Sequence, residues 1–115
     1  MLVIKIDTTA PVVTATANPS TASKSPRPVT VTITGTFTDG LSGVSSASFS
    51  VIDEYGITQP SGPVTLSEKG NYLFTLTLPA SKNGPDKNGH LYTIVVSAAD
   101  QAGNLGSATT TLRIN

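Results

Sequence analysis

Hydrophobic and polar residues alternate with a period of two along most of the chain, and no segment keeps a helical period for three turns. The pattern is clearest over residues 29–38. There Val29, Val31, Ile33 and Phe37 share one face, while Thr30, Thr32, Thr34, Thr36 and Thr38 take the other. Six more strands are predicted, over residues 11–17, 46–52, 64–67, 72–78, 91–99 and 107–114. Their inward positions are Ala47, Phe49 and Val51; Tyr72, Phe74, Leu76 and Leu78; Tyr92, Ile94, Val96 and Ala98; and Ala108, Leu112 and Ile114. About seven strands divided by Gly, Pro, Asn and Asp clusters predict an all-β fold, an antiparallel sandwich with Greek-key connections. The 64–67 strand should lie at an edge. Pro19, Pro26 and Pro28 should keep residues 18–28 out of the ladder, since proline has no amide to donate. Gly35 breaks the inner face of its strand and predicts a bulge or a close backbone approach. Asn83-Gly84 and Asn88-Gly89 tolerate positive φ and predict a long turn over residues 81–90.

Composition narrows the class. The chain has 115 residues, enough for one domain, and no cysteine, so neither a disulfide framework nor a thiolate metal site is available. Seven basic residues balance seven acidic ones without a basic stripe, which argues against nucleic acid and anionic membranes as partners. No apolar run approaches the ~20 residues that span a bilayer. Only 12% of residues are charged, and the abundant Thr and Ser suit a secreted or surface protein. The first residues lack the basic start and long apolar stretch of a signal peptide, so the chain is expected to be a fragment of an exported protein.

Four segments then carry a likeness: Asp7-Thr8-Thr9-Ala10-Pro11, Asp39-Gly40-Leu41-Ser42-Gly43-Val44, Tyr92-Thr93-Ile94-Val95-Val96-Ser97-Ala98 and Asp100-Gln101-Ala102-Gly103-Asn104. With them the chain resembles the bacterial immunoglobulin-like domains that occur in tandem on surface proteins, and more distantly fibronectin type III and cadherin-like modules. The resemblance implies an immunoglobulin-like sandwich, an extracellular or cell-surface location, adhesion and neighbouring domains as partners. Tyr92 falls where a tyrosine corner belongs, its ring in the core and its hydroxyl bonded back to the chain. Ile94 would take the place of an antibody-type cysteine and Phe49 that of the buried Trp, with Ile33 in the same core. Those departures leave no kinship with antigen receptors. Ile4-Lys5-Ile6-Asp7 also resembles Leu112-Arg113-Ile114-Asn115. On that comparison residues 1–7 are a linker or the tail of a preceding repeat, and residues 8–115 are the domain.

The candidate sites are few. The start of the chain and the loops after the second and sixth strands should meet at one end, gathering Asp7, Asp39, Asp100 and Asn104. Oxygen ligands at a junction suit Ca²⁺, the one ion considered; no other cofactor is expected. Asp39 and Asp100 equally suit the first position of turns completed by Gly43 and Gly103. Tyr55 is the one aromatic expected to be exposed, either as a sugar-stacking platform or as a loop ring covering the core edge. His90, the only histidine, opens a strand after a turn and is expected in solvent; Asp53 and Glu54 should point to opposite faces. Lys5 and Asn115 are formal candidates for an isopeptide link. No nucleophile elbow or phosphate loop occurs, so no enzyme is expected. The sequence therefore favours a non-catalytic spacer module, monomeric by itself. The alternative is a module binding protein or carbohydrate through the Asp39, Tyr55 and Asp100 loops at one end.

Overall fold

The computed structural model describes residues 10–38, 44–65, 70–82, 84 and 89–115. Nine strands lie among them: β1 (Val12–Val13), β2 (Thr16–Asn18), β3 (Thr21–Ala22), β4 (Val29–Thr38), β5 (Val44–Asp53), β6 (Ser61–Pro63), β7 (Asn71–Leu78), β8 (His90–Asp100) and β9 (Leu105–Ile114). In one sheet β4 is central, with β7 antiparallel on one side and β1 and β2 antiparallel on the other. The second sheet has the order β3-β9-β8-β5-β6; its pairings are antiparallel except for β3 with β9. The two inner faces meet on Val31, Ile33, Leu78, Tyr92, Ile94, Val96, Leu112 and Ile114, all without exposed area. Burying each such side chain stabilises by roughly 1.5–3 kcal/mol. Two packed sheets, with the first strands shared between them, make an all-β sandwich.

Three expectations need correction. The predicted strand over residues 11–17 divides into β1 and β2 around Thr14, whose carbonyl accepts the Tyr72 hydroxyl instead of serving a ladder. Residues 18–28 do not stay out of the sheets, because Thr21–Ala22 pairs with Arg113 and Ile114. The prolines flank that pair without occupying it, so its amides remain available. The edge strand predicted at residues 64–67 instead forms as β6; Val64 only donates its N–H to Ala47 O at 3.0 Å, and residues 66–67 lie outside the described set. Residues 39–43, 83 and 85–88, where a Gly-rich loop and much of the 81–90 turn were expected, also lie outside it.

Gly35 produces no bulge, since the β4–β7 register runs unbroken past it. What it allows is a close approach. Tyr72 lies across the strand from Gly35 and stacks on Phe37 with ring centroids 4.7 Å apart. Its hydroxyl crosses β4 to donate to Thr14 O at 2.5 Å. A side chain at position 35 would strike both the Thr14 carbonyl and that hydroxyl. Burial pushes the Tyr72 phenol up to about 12, so it remains a donor.

The segment leading into β4 runs along β9 for the length of that strand. Pro11 O lies against Gly106, where a side chain would collide with it. Ala17 N–H donates to Thr110 Oγ1 at 3.1 Å, Arg113 N–H to Ser20 O at 3.0 Å and Asn115 N–H to Ala22 O at 2.8 Å. Lys24 N–H closes the run on Asn115 O at 3.2 Å.

The outer faces are paved with hydroxyls. Thr30 faces Thr77, and Thr32 lies between Asn18 and Thr75. On the other sheet Ser48, Ser97 and Ser107 line up across three strands. Among the described strands, Arg113 is the one charged side chain on either outer face.

Candidate functional site

Asp53 ends β5 and His90 begins β8, and each continues the inward phase of its strand beyond the apolar core. Inward phase in a central strand leads to burial. His90 is 1% exposed and Asp53 is buried with it. His90 Nδ1 lies 2.7 Å from Ser81 O; a carbonyl only accepts, so Nδ1 carries a proton. Nε2 lies 2.5 Å from Asp53 Oδ1. Oδ1 also accepts the Tyr55 N–H at 2.8 Å, and Oδ2 accepts Gln59 Nε2 at 2.8 Å. Burial by itself would raise the Asp53 carboxyl. The hydrogen bonds from His90, the Tyr55 amide and Gln59 outweigh it and hold the group below the usual carboxylate value. The short contact ties the His90 imidazole to the Asp53 carboxyl, with both ring nitrogens engaged.

Aromatic rings close the site. Tyr55 stacks on His90 with centroids 3.9 Å apart, and Tyr92 tilts against the same imidazole at 4.3 Å. Tyr92 OH donates to Pro79 O at 2.7 Å, bonding back to the chain before its own strand. Burial, with the Asp53 charge adding to it, pushes the Tyr92 phenol up to about 12. Outside, Glu54 turns to solvent and accepts the Leu91 N–H at 2.7 Å. Nearby lies an open groove of about 390 Å³ whose lining includes Ile52, Asp53, Ile57, Thr58 and Gln59.

This arrangement corrects one expectation. His90 is not solvated, because its strand continues the packing phase of Tyr92, Ile94 and Val96. Of the two readings of Tyr55, the structure has the loop ring that covers the core edge: it is half-buried and one face of its ring lies on His90. Chemically the pair is saturated. Both imidazole nitrogens and both Asp53 carboxyl oxygens are already engaged within the fold. What it can do is fasten the turn after β5 to the segment before β8.

The opposite pole holds the residues considered for Ca²⁺. Asp100 is buried at 2% exposure; its Oδ1 accepts the N–H groups of Ala102 at 3.0 Å and Asn104 at 2.8 Å. Oδ2 accepts Asn104 Nδ2 at 2.9 Å, and Gly103, at φ 89°, returns its N–H to Asp100 O at 3.1 Å. This is turn chemistry. Asp7 and Asp39 lie outside the described residues, as does Lys5. Among the described residues no cluster of three His, Asp or Glu side chains could hold a metal. Millimolar Ca²⁺ against EDTA is expected to leave the melting temperature unchanged. An ion present at one hundred times its Kd would add ~2.7 kcal/mol and raise the midpoint by several degrees.

Register also separates loops that were expected to act together. Val44 pairs with Asp100 at one end of β5, and Asp53 pairs with Tyr92 at the other. Tyr55 and Asp100 therefore stand at opposite poles, ~30 Å apart at ~3.3 Å per residue. No shared binding end exists for them. Of the remaining core residues singled out in sequence, Ile33 and Ile94 are fully buried, and Phe49 is half-buried and stacks on Phe74 at 4.6 Å.

Neither a family model nor a curated protein matches the chain.

Proposed function

We propose that the domain is a non-catalytic spacer module of a multidomain extracellular bacterial surface protein, adhesin-like or accessory to a secreted enzyme. One observation carries the reading: the segment leading into β4 runs parallel to β9 and bonds to it from Ala17 to Lys24. Pro11 and Asn115 lie at opposite poles of that seam. Tension between neighbouring domains would thus load these hydrogen bonds together, in shear, rather than open them one by one. The saturated polar groups at both poles support a role in holding loops, which leaves the neighbouring modules of the same chain as the natural partners.

Force spectroscopy on a polyprotein of the domain tests this. Lys24→Pro removes the amide that bonds Asn115 O and should lower the unfolding force, while costing only about 1 kcal/mol in urea. A wild-type domain that opens at forces no higher than this variant would overturn the spacer reading.

A further inference from the structure

We infer that the groove between the β3–β4 connection and the end of β7 is a binding site for an acidic polysaccharide. Its cations come from segments far apart in sequence, so the chain shows no basic stripe. The fold draws them to one pole. Lys24 N–H bonds Asn115 O at 3.2 Å and Ser25 N–H bonds Ala80 O at 2.8 Å, which sets residues 24–25 between the end of β9 and the segment after β7. Arg113 stands just before Asn115 in β9, and Lys82 just after Ala80. Arg27 is held in the same turn, its N–H donating to Ser25 Oγ at 3.1 Å. Lys24, Arg27, Lys82 and Arg113 are all the lysines and arginines among the described residues.

The cluster is not neutralised from within. The carboxylates described at this pole are engaged elsewhere, Asp53 with His90 and Gln59 and Glu54 with the Leu91 N–H. Among the described residues no carboxylate pairs with Lys24, Arg27 or Lys82. Gathered like charges repel, and a cleft bordered by one sign of charge concentrates the opposite sign. An anionic partner is what this pole complements.

The groove beside the cations selects among polyanions. It is open, of about 470 Å³, and its lining includes three hydroxyl residues, Ser25, Thr77 and Ser81, and three prolines, Pro26, Pro28 and Pro79. Hydroxyls both donate and accept, as the hydroxyls of a sugar require, and proline rings offer C–H surface to a sugar ring. No aromatic ring is in the lining, so bases have nothing to stack on. None of the exposed large apolar side chains is there either, so nothing inserts among lipids. Prolines have no N–H to give an extended acidic peptide. Lys24 and Arg27 adjoin Ser25 and Pro26, and Lys82 adjoins Ser81, so cations border both walls and can meet successive carboxylates of one chain. The site uses side chains and the load-bearing seam uses backbone bonds, so either can fail without the other.

Titration of the domain with polygalacturonate, followed by NMR amide shifts, tests the site. Shifts should centre on Ser25, Thr77, Ala80 and Ser81 at low salt and vanish in molar salt, where screening is short. Lys24→Gln with Arg27→Gln keeps every backbone bond and should weaken binding at least tenfold. Ser48→Asp with Thr109→Asp makes the same change in net charge on the outer face of the other sheet and should leave binding within about twofold, the exposed pair there being screened from the groove. Polyglutamate, single-stranded DNA, anionic vesicles and the methyl ester of the same polysaccharide should each bind at least tenfold more weakly. No binding of polygalacturonate at low salt would overturn the inference. So would full affinity in the Lys24→Gln, Arg27→Gln variant, or equal affinity for any of the other polyanions, which would mean attraction by charge alone.

Discussion

His90→Ala should cost about 3–5 kcal/mol of stability, the range for removing one partner of a buried pair. The loss exceeds that of a single contact because three groups are stranded together. Asp53 stays buried with its charge uncompensated, Ser81 O loses its donor and Tyr55 loses the ring beneath it. Urea unfolding of the variant would measure this directly. Replacing both partners, as Asp53→Leu with His90→Phe, should lie closer to wild type than either single change, because an apolar pair strands no charge. The same site sets the acid limit of the fold. The native Asp53 carboxyl is held below its ordinary value, so its contribution is complete above pH ~4 and is lost as pH falls through the lowered native value. Stability should therefore decline with acid in that window, and Asp53→Asn should flatten the decline. An unchanged acid profile in Asp53→Asn would mean that another carboxylate governs it.

Gly35→Ala is the second large effect, about 2–4 kcal/mol, combining ~1–3 for overpacking with ~1 for a forfeited hydrogen bond. The methyl would meet the Thr14 carbonyl on one side and the Tyr72 hydroxyl on the other. Backbone on one side cannot rotate away, so either Tyr72 leaves the core or the β1–β2 edge lifts from β4. A companion Tyr72→Phe separates the two causes. It removes the hydroxyl and its bond to Thr14 O while leaving the Phe37 stack, and should cost only about 1 kcal/mol. If Gly35→Ala melts like wild type, the close approach is not a constraint.

The strand phases were legible in the alternation itself, because parity in a half-buried sheet follows directly from side-chain period. Val29 to Thr38 formed where the pattern was cleanest, and Gly35 was marked as a place of close approach without its partner being identifiable. What escaped were partners distant in sequence. Thr21 and Ala22 offer only two residues, too few for a pattern, and pair with a strand at the far end of the chain. His90 and Asp53 carried a usable signal, since each keeps the inward parity of its strand. A polar residue at a strand end nonetheless looks like a turn until register brings its counterpart beside it. The shared binding end failed for a similar reason: Tyr55 and Asp100 flank opposite ends of β5, which loop composition alone does not reveal.

The hydroxyl-paved faces bear on the medium in which such a module works. Among the described strands the outer faces carry one charge, Arg113, close to one tip. Ionic screening acts over about 8 Å at physiological strength and shortens further in brine, but on these flanks it has little charge to act upon. Side-by-side spacing of such modules would thus be governed by hydration and shape, and would change little between fresh water and sea.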